Sequence, residues 1–115
     1  LRRRAWLITE HCEGRDLLTA LGGEGDRLPD PALQAALLLT VGSLVAQRIS
    51  HGDFKATNLI WNGSEVVLID LDAMQAHTSR RAWRAAWNRD RARLLRNWPV
   101  DSELSRWLDR QLPTG

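Results

Sequence analysis

The pattern of apolar and polar positions predicts alternating short strands and amphipathic helices. Ala5–Thr9 (AWLIT) is a short apolar run of the kind that forms a buried strand, and the polar stretch from Glu10 to Gly14 ends it. Asp16–Leu21 reads as a short helix, and Gly22-Gly23-Glu24-Gly25-Asp26 as a flexible loop. That glycine run is not a phosphate loop, because no strand feeds it and no Lys-Ser/Thr pair follows it. Pro29-Asp30-Pro31 begins a long helix, with Pro31 suited to its first turn, running to about Ile49. Leu33, Leu37, Thr40 and Leu44, with Leu38, Val41 and Val45 beside them, form a broad apolar face. This stretch is shorter than the roughly 18–20 apolar residues a bilayer span needs, and Gln34, Thr40, Ser43 and Gln47 interrupt it, which points to a core helix.

Ser50–Thr57 is polar and irregular. Asn58–Trp61 and Glu65–Ile69 are two apolar runs flanking Asn62-Gly63, a strong hairpin signal. Asp70 and Asp72 follow the second run directly. Ser79 is placed to cap a helix reaching about Trp98, with Trp83, Trp87, Leu94 and Trp98 on one face and arginines around the other. Pro99 stops it, and Asp101 or Ser102 starts a last helix through Leu104, Trp107 and Leu108. The tryptophan stripe reads as core.

The chain has 115 residues, room for one domain with a modest core. With 43% hydrophobic and 26% charged residues it is an ordinary globular sequence, not a disordered tail. A single cysteine excludes a disulfide framework and a cysteine-based zinc site, and suits a reducing compartment. Sixteen basic residues nearly balance fourteen acidic ones, and Lys55 is the only lysine. The arginines crowd between Arg80 and Arg96, a face able to attract a phosphorylated glycolipid, an acidic membrane leaflet or, least of the three, nucleic acid. No signal peptide is visible. There is no initiator methionine, so the expectation is a chain that begins inside a larger protein.

The chemistry concentrates in SHGDFKATNLIWNGSEVVLIDLDAM, Ser50–Met74. An Asp, a Lys and an Asn fall within six residues; a hairpin then brings back another Asp. This suits phosphoryl transfer. One carboxylate orients the acceptor hydroxyl and takes its proton, and a lysine offsets charge on the moving phosphoryl group. An amide oxygen and a second carboxylate hold a divalent metal.

His51-Gly52-Asp53-Phe54-Lys55-Ala56-Thr57-Asn58 resembles the catalytic loop of protein-kinase-like enzymes, and Ile69-Asp70-Leu71-Asp72 the metal-binding segment that follows it. The resemblance implies Asp53 as catalytic base, Lys55 as phosphate contact, Asn58 and Asp70 as Mg²⁺ ligands, and ATP as donor. Leu7–Gly14 resembles the hinge, which would bring the backbone of Glu10 and Cys12 to adenine and Asp16 to the ribose. Gly52 replaces the arginine of kinases regulated by activation-loop phosphorylation, Leu71-Asp72 replaces Phe-Gly, and no Ala-Pro-Glu segment follows. A His-Gly-Asp loop followed by Ile-Asp-x-Asp is similar to the bacterial lipopolysaccharide core kinases, which phosphorylate Kdo or heptose. Trp87–Arg96 resembles a helix of that family.

What the resemblance implies is an α+β fold: a kinase-like C-terminal lobe over residues 1–115, mainly helical with a short catalytic hairpin. Residues 1–14 would be hinge strand and linker and residues 15–115 the helical lobe, with the catalytic loop at 51–58 and the metal-binding segment at 69–72. By the same resemblance, the N-terminal lobe with its Gly-rich loop and strand lysine is expected to lie outside residues 1–115. The chain is therefore expected to be a fragment, a truncated product, or one of two chains, and inactive alone. The acceptor would be lipopolysaccharide core glycolipid, and the location cytoplasmic, in peripheral contact with the inner membrane.

Rival readings are the small atypical kinase linked to tRNA threonylcarbamoylation, aminoglycoside- or choline-kinase-like enzymes, and a pseudokinase-like remnant acting as a binding module. His51 reads as a residue that packs and hydrogen-bonds the loop. Asp90 reads equally as a surface ion-pair partner and as a buried carboxylate holding the catalytic-loop backbone, as a helix Asp does in related folds. Asp72 reads equally as a carboxylate behind the metal ligands and as an arginine partner. His11 and His77 read as ordinary polar residues, and Cys12 as a small buried hydrophobe.

Overall fold

A computed structural model describes residues 13–115. The expected strand over 5–9 and the hinge contacts of Glu10 and Cys12 lie outside the described residues. From there the chain alternates very short strands with four helices, giving a mixed α and β fold.

β1 (Arg15–Asp16) leads directly into α1 (Leu17–Leu21). The predicted helix started one residue earlier, but Asp16 is its cap. One carboxylate oxygen accepts from the Thr19 amide and the other from the Thr19 hydroxyl, each at 2.9 Å. α2 (Pro31–Ala46) is capped by Asp30, whose Oδ1 accepts from the Leu33 amide at 2.9 Å, with Pro31 in the first turn where its missing N–H is harmless.

Helix α2 ends at Ala46, not at Ile49. Arg48 adopts φ +55, turning the chain back after the last helical turn, and its carbonyl accepts from the His77 amide at 2.9 Å. A left-handed conformation costs a non-glycine residue about 1–2 kcal/mol. Released from the helix, Ile49 and Ser50 form β2 instead of the irregular stretch expected from Ser50 onward, and pair antiparallel with β5 (Gln75–Ala76).

The hairpin is β3 (Leu59–Trp61) and β4 (Val66–Leu68), paired Leu59 to Leu68 and Trp61 to Val66; β1 lies against the other edge of β3. The expected turn is present but shifted by one residue. The Asn62 amide donates to the Glu65 carbonyl at 3.2 Å, so Gly63 and Ser64 form its centre, with Gly63 at φ +99. Asn62 acts through its side chain, its Oδ1 accepting from the Ser64 and Glu65 amides.

α3 (Arg80–Leu95) is capped by Ser79 and α4 (Glu103–Gln111) by Ser102, each through a side-chain oxygen. α3 stops at Leu95, short of the expected Trp98. Trp98 is buried all the same, and its indole N–H donates to the Gly22 carbonyl at 2.7 Å, fastening the glycine loop. Arg91 ties α3 to α4 through the Asp109 carboxylate at 3.0 Å.

One core joins these pieces. Leu33, Leu37, Val41 and Leu44 of α2 pack with Leu59, Val66 and Leu68 of the hairpin and Trp87 and Leu94 of α3. A buried Thr40 hydroxyl donates to the Val66 carbonyl at 2.9 Å, fixing α2 against β4. Trp83 and Trp87 are buried, as their spacing implied. Among the described residues no helix is long and apolar enough to cross a membrane. Trp87 is fully buried and donates to the Pro113 carbonyl at 2.9 Å. Trp87→Ala should lower unfolding free energy by about 3–5 kcal/mol in chemical denaturation; a loss under about 1 kcal/mol would place it outside the core.

Candidate active site

The loop between β2 and β3 is shaped from below. Asp90, in the last two turns of α3, is 4% exposed. Its carboxylate accepts from the His51 amide at 2.7 Å and the Gly52 amide at 3.1 Å. Among the described residues no ion pair involves Asp90, so its partners are loop amides and not arginines. Burial pushes its carboxyl above the ordinary 3.8, although the two amide bonds and the neighbouring Arg89 charge pull the other way.

Gly52 makes that approach possible. It sits at φ +91, and a Cβ there would fall within 2.5 Å of the Ala73 Cβ and 2.8 Å of the Ala73 carbonyl oxygen. An arginine at this position, as in regulated kinases, has no room in this backbone.

His51 is fully buried. Its Nδ1 accepts from the Asp53 amide at 3.1 Å, so the proton is on Nε2, which donates to the Ile69 carbonyl at 2.9 Å. One imidazole thereby links the loop to the strand end that carries Asp70. Beneath it lies Phe54, with no exposed surface, its ring 5.8 Å from His51 and 6.0 Å from Trp87. Sequence reading gave Phe54 no part. Its only signal was a lone Phe set between an Asp and a Lys, where an inward side chain lets both polar neighbours face out.

Asp53 and Lys55 come together on the outer side, with Asn58, itself buried, drawn against Asp53. Asn58 Nδ2 donates to the Asp53 carbonyl at 2.9 Å and lies 3.4 Å from its carboxylate. Lys55 Nζ is 3.7 Å from the same carboxylate, and both side chains are roughly 40% exposed, so this pair adds little stability. A single 3-10 turn, Ala56–Asn58, sets the spacing, its Asn58 amide donating to the Lys55 carbonyl at 2.8 Å.

The hairpin returns Asp70 to this place. The Ile69 amide donates to the Asn58 carbonyl at 3.0 Å, so Ile69 is held on both its backbone groups. Asp70 follows at φ +59, with its side chain exposed. Asp72 is exposed in the next turn, and among the described residues it makes no ion pair. Asp16 commits both carboxylate oxygens to Thr19 as a helix cap. His77, read as ordinary, bonds the Ser50 hydroxyl at 2.8 Å and joins β2 to β5 by side chains as well as backbone.

Asn58 and Asp70 supply hard oxygen donors, the type magnesium takes. Among the described residues no three His, Cys, Asp or Glu side chains form a metal cage. Two protein oxygens completed by nucleotide phosphates and water is the usual arrangement for magnesium in phosphoryl-transfer sites.

A model of the lipopolysaccharide kinase (Kdo/WaaP) family matches residues 1–111, a span that contains every residue of this constellation. The chain belongs to that family. A comparison with curated proteins gives no match. Membership of the Kdo/WaaP family makes this a kinase-family chain with a lipopolysaccharide-type substrate.

Two outcomes test the geometry in this Kdo/WaaP family member. A raised carboxyl pKa means that the folded state binds the proton more tightly than the unfolded chain. The stability advantage of protonated Asp90 is therefore complete below 3.8 and is lost as pH rises through the raised folded value. The stability difference between wild type and Asp90→Asn should shrink as pH rises over that range in denaturant titrations; a growing difference would mean that the amide bonds outweigh burial. Gly52→Ala should destabilise by about 1–3 kcal/mol through left-handed strain and the Ala73 clash, and an unchanged midpoint would show the loop to be plastic.

Proposed function

We propose that this site transfers the γ-phosphoryl group of ATP to a sugar hydroxyl, Kdo or heptose, of the lipopolysaccharide inner core. The observation that carries the reading is the gathering of Asp53, Lys55 and Asn58 on one short turn, with Asp70 returned beside them by Ile69. The family match supports the substrate class.

Asp53 orients the acceptor hydroxyl and takes its proton. Its carboxylate is half-exposed, open to an incoming hydroxyl, while its backbone is held by His51 and Asn58. Lys55, close to the same carboxylate, moves with little loss to the transferring group and offsets its charge. Asn58 uses its Nδ2 to fix the loop, which leaves its carbonyl oxygen for the metal; Asp70 provides the second ligand. Mg²⁺, when bound with ATP, would supply positive charge that offsets the charge of the phosphates. Turnover on this scheme also needs a Gly-rich loop and a strand lysine, so residues 1–115 alone are expected to be inactive. The work is done on the cytoplasmic face of the inner membrane.

In a polypeptide carrying both lobes, Asp53→Ala should abolish phosphorylation of core glycolipid while Mg-ATP affinity stays within about twofold. Retained turnover would remove Asp53 as the base. Asp70→Ala should abolish the magnesium dependence of nucleotide binding, measured by titration calorimetry; an unchanged Mg-ATP affinity would remove its metal role.

A further inference from the structure

A cavity of about 370 Å³ opens between the catalytic loop and α3, near the small end of the ~300–1,000 Å³ range of ligand sites. Gly52 and Asp53 form one wall and His77 another; Arg89, Arg93 and Arg96 line the third. The three arginines are spaced four and three residues apart, so they share one face of the helix end. Like charges at this spacing repel. Among the described residues none of the three makes an ion pair. Neither carboxylate of the cavity pairs with them directly: Asp90 lies near enough to feel the Arg89 charge but accepts from the His51 and Gly52 amides, and Asp53 lies beside Lys55. The result is a small polar cavity whose three arginines outnumber its two carboxylates and, among the described residues, form no direct ion pair, reaching the side chain assigned to the acceptor hydroxyl.

We propose that this cavity seats an anionic group of the acceptor, a carboxylate or phosphate on the sugar, gripped by Arg89, Arg93 and Arg96. The assignment to the acceptor rests on the proposed function and on which residues form the walls. Asp53 lines the cavity, whereas Asn58 and Asp70, the proposed metal ligands, do not. An anion held here stands on the acceptor side of Asp53, away from the nucleotide phosphates. Guanidinium groups suit the task, since each offers a planar fork to two anionic oxygens. The three arginines would thus select acidic core sugars over neutral ones and set the distance between the acidic group and the hydroxyl presented to Asp53.

The test is an NMR titration of the chain with free Kdo and its methyl ester, and with glucose 6-phosphate and glucose, following the Gly52 and His77 amides. Each anionic probe should bind about tenfold or more tightly than its neutral counterpart, the size expected for one charge-assisted contact. Whichever anion binds more tightly identifies carboxylate or phosphate as the group recognised. Arg93→Gln combined with Arg96→Gln should remove that preference while the thermal unfolding midpoint stays unchanged. Equal binding of charged and neutral probes would overturn the proposal, as would an anion preference that survives the double substitution. Displacement of the sugar acid by Mg-ATP at equal affinity would also overturn it, by giving the arginines to the nucleotide. The two readings fail separately. A two-lobed polypeptide that phosphorylates acidic and esterified acceptors equally sinks this inference and leaves the phosphotransferase. Arginine-dependent anion binding with no phosphorylation of core glycolipid supports the anion site and removes the proposed function, and with it the assignment to the acceptor.

Discussion

The candidate site depends on one buried carboxylate. Asp90 projects from α3 into the underside of the loop that begins at His51, and takes the amides of His51 and Gly52. Placing a carboxylate in a protein interior is unfavourable unless charge-assisted hydrogen bonds satisfy it. Here those bonds come from two consecutive amides, and they exist only if the loop turns sharply at Gly52. The carboxylate, the positive φ at Gly52 and the close contact with Ala73 therefore stand or fall together.

From that anchor the loop has two faces. Downward, His51 and Phe54 are fully buried and run toward Trp87 in the core. Upward, Asp53 and Lys55 stay partly exposed, with Asn58 drawn against Asp53. The strands around them are only two or three residues long, too short to be stable alone. Their alignment comes from side chains: His51 to the Ile69 carbonyl, Ser50 to His77, and Thr40 to the Val66 carbonyl. Functional groups held by such cross-links can be oriented before a substrate arrives, which is where positioning lowers a barrier.

Much of this was legible because it is local. Asp30, Ser79 and Ser102 cap helices through their own side chains, and Asn62-Gly63 marks a turn wherever the neighbours are apolar. The features that were missed are settled across distance. Arg48 ends α2 in a left-handed conformation that nothing nearby requires, and β2 exists only because β5 returns to it from far along the chain, Ile49 pairing with Ala76 and Ser50 with Gln75. Trp98 misled for a related reason. It lies four residues after Leu94 and is buried, so its spacing mimics helix although the helix has ended. Asp90 was undecided because a carboxylate among arginines looks the same in sequence whether it meets a guanidinium or a backbone amide. The cationic wall beside Asp53 was visible only as a run of arginines, since its shape requires the loop.

The most direct measurement is amide hydrogen exchange at His51 and Gly52. If Asp90 holds the loop, these two amides exchange only on global opening, as slowly as those of Ile60 and Val67, which pair across the hairpin. Exchange as fast as at the exposed Gly23 and Glu24 would mean that the carboxylate does not anchor the loop, and that Asp53, Lys55 and Asn58 are not held together in advance.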